Sequence, residues 1–192
     1  MTIFLILAPY GAFAALMLVT SAAISLFVSA TICVAVIAFD IARGRSIKIL
    51  AAGSVLTFVA VGLYVTLIDP GLSASAVRFA VDTGILLVTL FSILIGYPFT
   101  LQYALEATDA ETAELPGFVS ANYVITWAWA AAMALMMIGN VAMIYVPWLP
   151  FWGGLLVAFA ARNCAIYFTN WYPQYLRAKH GTPPASALSR SQ

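Results

Sequence analysis

The fold class the sequence predicts is all-α, a polytopic transmembrane helical bundle. Three observations predict it. Of 192 residues, 64% are hydrophobic and only 8% are charged, against about a quarter charged in a soluble domain. The mean hydropathy is +1.02, so lipid must be the solvent for most of the surface. Long apolar runs recur between short polar breaks, each long enough for the ~20 residues a bilayer requires. The expectation is five spans, with six as the alternative, in one helical domain over residues 1–176. A basic, disordered tail over 177–192 follows.

Met1 to Phe13 is apolar but interrupted by Pro9 and Gly11, which reads as a lead-in at the membrane surface. Ala14 to Phe39 reads as the first span, tilted because it exceeds a bilayer's need. Ser21, Ser25, Ser29 and Cys33 repeat every four residues along it, a small-residue stripe suited to close helix packing. Residues 3–39 could instead form two short spans turning near Thr20-Ser21. No Gly, Pro or Asn breaks the run there, so one span is the preferred reading.

Arg43, Arg45 and Lys48 make the densest basic cluster. Basic short loops stay cytoplasmic, which sets this loop inside and, with five spans, the N-terminus outside. Ile49 to Ile68 is the second span, closed by Asp69-Pro70-Gly71, a turn signal. Ala76 to Tyr97 is the third, ended by Pro98. Tyr123 to Val146 is the fourth and stops at a Pro-Trp-Leu-Pro turn. Phe151 to Trp171 is the fifth, closed by Pro173. Six of the eight basic residues then lie on the cytoplasmic side. Aromatics mark both interfaces, Tyr97, Trp127 and Trp171 at the inner one and Tyr64, Tyr145 and Trp148 at the outer.

The segment 98–122 is the longest polar interruption and holds Glu106, Asp109, Glu111 and Glu114, four of the seven acids. Pro98 suits the first turn of a helix. Gln102, Glu106 and Asp109 share one face of it, giving an amphipathic helix on the inner surface. Thr108 and Glu111 have capping-box spacing, so a second turn restarts there, and Ser120 is placed to cap the fourth span. The four acids read as a solvated face pairing with Arg43, Arg45 or the tail; they lack the pattern of a calcium loop.

Polar groups inside the spans carry the functional reading. Asp82 lies ~9 Å into the third span and Arg162 ~18 Å into the fifth, at 1.5 Å per residue. Asn140 is at a depth similar to Asp82, and Asn163 is beside Arg162. Ionisable groups at such depth are costly and usually face the bundle interior. Asp82 either pairs with Arg78 one turn earlier, or joins Asn140, Arg162 and Asn163 around a polar cavity. Arg162 can alternatively snorkel towards Tyr167, Thr169 and Asn170. Met133, Met136, Met137 and Met143 read as flexible packing.

Much chemistry is excluded. A single histidine, His180, cannot supply paired haem ligands or a serine–histidine site in the membrane. Cys33 and Cys164 form no CxxC and read as small buried hydrophobes. There is no P-loop, dinucleotide fingerprint or zinc ligand set. No cofactor is expected, an enzyme is the least favoured class, and a net charge of +1 implies no nucleic-acid partner.

The run PFTLQYALE, then LPGF, then N-Y-x-I-T-x-x-W, resembles a motif of small bacterial integral membrane proteins. In this chain it falls on Pro98, Phe99, Thr100, Tyr103, Glu106, Asn122, Ile125, Thr126 and Trp127. Where that pattern often has Arg before the Glu, this chain has Leu105. The resemblance implies a multi-pass protein of the bacterial inner membrane and no mechanism. Three functions remain. One is a small transporter or channel built on Asp82, Asn140, Arg162 and Asn163, as a homo-oligomer. Another is an accessory subunit docking a membrane partner through Pro98, Phe99, Thr100, Tyr103, Glu106, Asn122 and Trp127. The third is a binder of lipid or a hydrophobic ligand.

Overall fold

The structure, a computed structural model, describes residues 2–146, 148 and 151–179, with side chains from Ala8 onward apart from that of Phe151. Six long helices and two short ones make up the described chain: α1 (Thr2–Val19), α2 (Ala22–Ala42), α3 (Ile49–Leu67), α4 (Ala74–Leu94), α5 (Phe99–Ala107), α6 (Ala110–Ala113), α7 (Phe118–Tyr145) and α8 (Phe151–Lys179). Four of them, α2, α3, α4 and α7, are long and apolar enough to cross a membrane, and α1 adds a shorter apolar stretch over Ala8–Val19. The chain is a helical, multi-pass membrane protein. Arg162 and Asn163 interrupt the apolar run of α8.

The expected first span, Ala14–Phe39, is two helices. The break falls at Thr20-Ser21, the turn of the alternative reading, so the described chain has six long helices, of which four are long and apolar enough to span. Two hydroxyls replace the missing glycine or proline as the helix breaker. Thr20 Oγ1 donates back to the Leu16 carbonyl at 3.0 Å. Ser21 then caps α2 by accepting from the Ile24 amide, as serine does at helix starts. Residues up to Phe13 are correspondingly part of α1 rather than a surface lead-in. Tyr10 hydrogen-bonds Ser54 of α3, and Phe13 packs on Phe58 with ring centroids 5.5 Å apart.

Each long helix runs antiparallel to the next. Gly53 meets Val88 and Thr57 meets Gly84 across α3 and α4. Asn140 meets Asp82, and Met133 meets Thr89, across α4 and α7. Trp129 meets Thr169, and Met143 meets Gly154, across α7 and α8. The heaviest contacts therefore follow chain order, α1 on α2, α2 on α3, α3 on α4, α4 on α7 and α7 on α8. This row curls, because Tyr10 of α1 and Arg162 of α8 border the same cavity. Alternation of six helices brings the N-terminal end of α1 and the C-terminal end of α8 to the end of the bundle that holds the 43–48 loop. An N-terminus on the opposite side from the tail was the five-span expectation.

Three other boundaries move for local reasons. α4 stops at Leu94 rather than Tyr97 because Gly96, at φ 77°, takes the left-handed conformation. The Gly96 amide bonds Ile93 and the Tyr97 amide bonds Ser92, the paired closing bonds of a Schellman end. α7 starts at Phe118, with Gly117 at φ 94° before it, so Ser120 lies inside the helix. α8 passes through Pro173 to Lys179. One missing amide bond is tolerated in a long helix packed along its length. Arg177 and Lys179, expected in the tail, are its last turn. The tail beyond Lys179 lies outside the described residues.

The small-residue stripe packs as its spacing predicts. Ser25, Ser29 and Cys33 are buried on α2, and Ser25 and Ser29 donate to carbonyls four residues back. Cys164, by contrast, is exposed on the outer face of α8.

Candidate functional site

Between α4, α5, α7 and α8 lies a cavity of about 820 Å³. Helix periodicity builds its walls. On α7 the buried positions Asn122, Ile125, Met133 and Met136 fall on one stripe, and Trp129 continues it. Ile85 faces them from α4, Phe99 and Tyr103 from α5, and Ile166 from α8. One end of the cavity is bordered by Thr108, Thr112 and Pro116 around α6 and by Arg177 at the end of α8. The other end lies deep in the bundle at Asp82, Arg162 and Tyr10.

The deep end brings together three of the four residues that depth alone marked. Asn140, only 8% exposed, donates its side-chain amide to Asp82 Oδ2 at 2.7 Å. Arg162 enters from α8, close enough for its charge to act on Asp82, with no ion pair within 4.0 Å between them among the described residues. Arg78 lies one turn before Asp82, and its charge also reaches that carboxylate. Asn163 does not join them. It faces outward, and its amide is spent on the Phe159 carbonyl of its own helix at 2.7 Å. A carboxylate held by an amide and opposed by a guanidinium can hold a charged solute or pass a proton.

The 98–122 segment forms the wall and mouth of that cavity. Its start is wedged into the bundle rather than resting on the surface, with Pro98, Phe99, Thr100 and Leu101 all buried. Ser92 Oγ accepts from the Phe99 amide at 3.1 Å. Thr100 Oγ1 lies 2.8 Å from the Asn122 carbonyl and 2.7 Å from Thr126 Oγ1. Phe99 packs edge-on against Tyr103 and Trp129. Trp127, two residues from Trp129, points the other way and is 55% exposed. α6 starts one residue later than the capping-box spacing suggests, because Asp109 rather than Thr108 accepts from the Thr112 amide, at 2.7 Å.

Sequence spacing did not reveal what pins the rest of α5. Lys48, only 2% exposed, points its ammonium at both oxygens of Glu106, each at 2.6 Å. Asp40 Oδ2 stands 3.6 Å away, and the Ser46 carbonyl accepts at 3.0 Å. Arg45 bridges Asp40 at 3.3 Å and approaches Glu106 at 3.9 Å. Ser46 donates to Glu106 from its amide and its hydroxyl. Gln102, one turn earlier, accepts from the Ile49 amide at 2.8 Å. It thus caps α3, whose own N-cap residue, Lys48, makes no side-chain cap. Burial alone would push the Glu106 carboxyl up, but Lys48 and Ser46 outweigh it and hold it below the usual carboxylate range. The acidic face expected to pair with Arg43 or Arg45 is real for Glu106, and its main partner is Lys48. The only signal was the shared face of Gln102 and Glu106; the partner lies 58 residues away.

Compared with family models, with curated proteins and with solved structures, the chain finds no match in any of the three.

Proposed function

We propose that this protein is a small membrane transporter. Solute enters between α5, α6 and the end of α8 and reaches a polar intramembrane site formed by Asp82 and Arg162, with Asn140 orienting the carboxylate. The observation that carries the reading is one continuous cavity with those two charges at its deep end and the edge of the bundle at the other. Dry packing around Arg162 would have favoured a structural role. The basic 43–48 loop supports a cytoplasmic open end. The resemblance around PFTLQYALE supports a bacterial inner membrane.

Docking a partner through the 98–122 segment draws less support, since Pro98, Phe99, Thr100 and Asn122 are consumed inside the bundle. Binding of a hydrophobic ligand draws on the same cavity and is a stage of the same process.

The test is uptake into liposomes by the purified protein, screened over radiolabelled organic anions, cations and neutral solutes. At least one class is taken up. Asp82→Asn and Arg162→Ala each lower its flux by about tenfold or more, the scale of one lost charged hydrogen bond, while helical content holds. Unchanged flux in both variants, or no uptake of any class by the wild type, refutes the assignment.

A further inference from the structure

The charges and shape of the cavity narrow what it takes. Among the described residues the ionisable side chains lining it are Asp82, Arg162 and Arg177, two basic to one acidic. The four acids of the 98–122 segment do not line it; Glu106 is turned away onto Lys48. Asp82 already has one oxygen engaged by Asn140. Arg162 has no hydrogen-bond or ion-pair partner among the described residues, although its planar fork suits bidentate binding of a carboxylate, sulfonate or phosphate. A guanidinium deep in the bundle with its donors open to a cavity is a receptor for an anionic group.

The length sets the rest of the ligand. From Arg162 to Arg177 is fifteen residues of α8, ~22 Å at 1.5 Å per residue. Spread over that length, about 820 Å³ leaves a bore wide enough for one or two hydrocarbon chains or a single flat ring. Its waist is Ile85, Phe99, Ile125, Trp129, Met133 and Met136, all apolar or aromatic, and methionine adapts to differing shapes.

We propose that the cavity binds an amphiphilic organic anion, its acidic group on Arg162 and its apolar body along the α5–α7 waist. The proposal rests on the reading of Asp82 and Arg162 as a solute site. Asp82 then opposes the anion at the deep end, and Arg177 draws it to the mouth.

The probes are octanesulfonate and octyltrimethylammonium, matched in chain and fixed in opposite charge, with octanol as the neutral member. Thermal stabilisation is measured with the full chain in phosphatidylcholine nanodiscs. Octanesulfonate stabilises best. Its apparent affinity falls about tenfold or more in Arg162→Gln, falls less in Arg162→Lys, which keeps the charge without the fork, and rises in Asp82→Asn. Repeating the titration in discs with phosphatidylglycerol separates two sources of the ligand. If the octanesulfonate shift disappears there and returns in Arg162→Gln discs only weakly, the natural anion is a bilayer lipid; if it persists, it is a free amphiphile. Preference for octyltrimethylammonium, lost in Asp82→Asn, overturns the anion class and leaves the site intact. Equal shifts with all three probes, unaltered by Arg162→Gln or Arg162→Lys, overturn both this proposal and the polar site beneath it.

Discussion

Lys48 is almost completely buried, and its surroundings explain how a basic side chain is tolerated there. A buried ammonium is costly unless paired and hydrogen-bonded. Here Glu106 gives both oxygens, Ser46 a carbonyl and Asp40 a second carboxylate. Removing one partner strands the other. Glu106→Gln is expected to lower stability by about 2–3 kcal/mol, and most of that loss is recovered in the double variant Lys48→Met/Glu106→Gln. A double-mutant cycle on thermal unfolding in detergent measures the coupling. The pH dependence has a definite sign. Glu106 titrates below the usual range when folded, so its contribution is complete above the unfolded carboxylate value, about 4.3. It is lost as pH falls through the lower folded value. Between pH 7 and 3 the wild type therefore loses more stability than Glu106→Gln. A steeper loss in the variant would contradict the pairing.

Among the elements, α3 and α4 meet across two glycines, Gly53 and Gly84, that leave no room for a larger side chain. A Cβ on Gly84 would lie 2.4 Å from the Thr57 methyl, and one on Gly53 would lie 2.5 Å from the Val88 methyls. Small residues at such crossings are how membrane helices gain contact without a hydrophobic driving force. Gly84→Ala is expected to cost about 1–3 kcal/mol through overpacking. Thr57→Ala in the same chain relieves it, so the double variant is more stable than the Gly84→Ala single. A Gly84→Ala protein with the wild-type melting temperature would place the helices further apart. Neither glycine stood out in the sequence, because isolated glycines in an apolar run have no periodicity to read. The helices themselves did stand out, since Asp69-Pro70-Gly71 and Pro98 interrupt apolar runs where the chain turns. Thr20-Ser21 was legible only as the turn of the less favoured alternative, because hydroxyls break a helix only when they capture its backbone groups, as they do here.

At the scale of the whole molecule, the parity of the helices decides where the chain ends lie. Six alternating helices return α8 to the side from which α1 starts, so tags on residues 1 and 192 are expected to share one compartment. Protease protection in inverted and right-side-out vesicles reads this directly, and opposite protection of the two tags would remove α1 from the count. The candidate site was half legible from depth along the spans. Asp82 and Asn140 meet at 2.7 Å as their similar depth suggested. Asn163 shares the depth of Arg162 but not its side of the helix. The Lys48 pairing and the Tyr10 wall of the cavity depend on how the row of helices curls, which no local pattern encodes.

Because each long helix after the first packs on the long helix before it in the chain, the nascent chain has a partner waiting each time a new rod leaves the ribosome. Assembly can then proceed like folding a fan, leaf by leaf. The leaf after α7, α8, brings Arg162 and one wall of the cavity. A chain stopped before residue 151 would hold its earlier leaves together yet lack the wall that Arg162, Ile166 and Arg177 give the cavity.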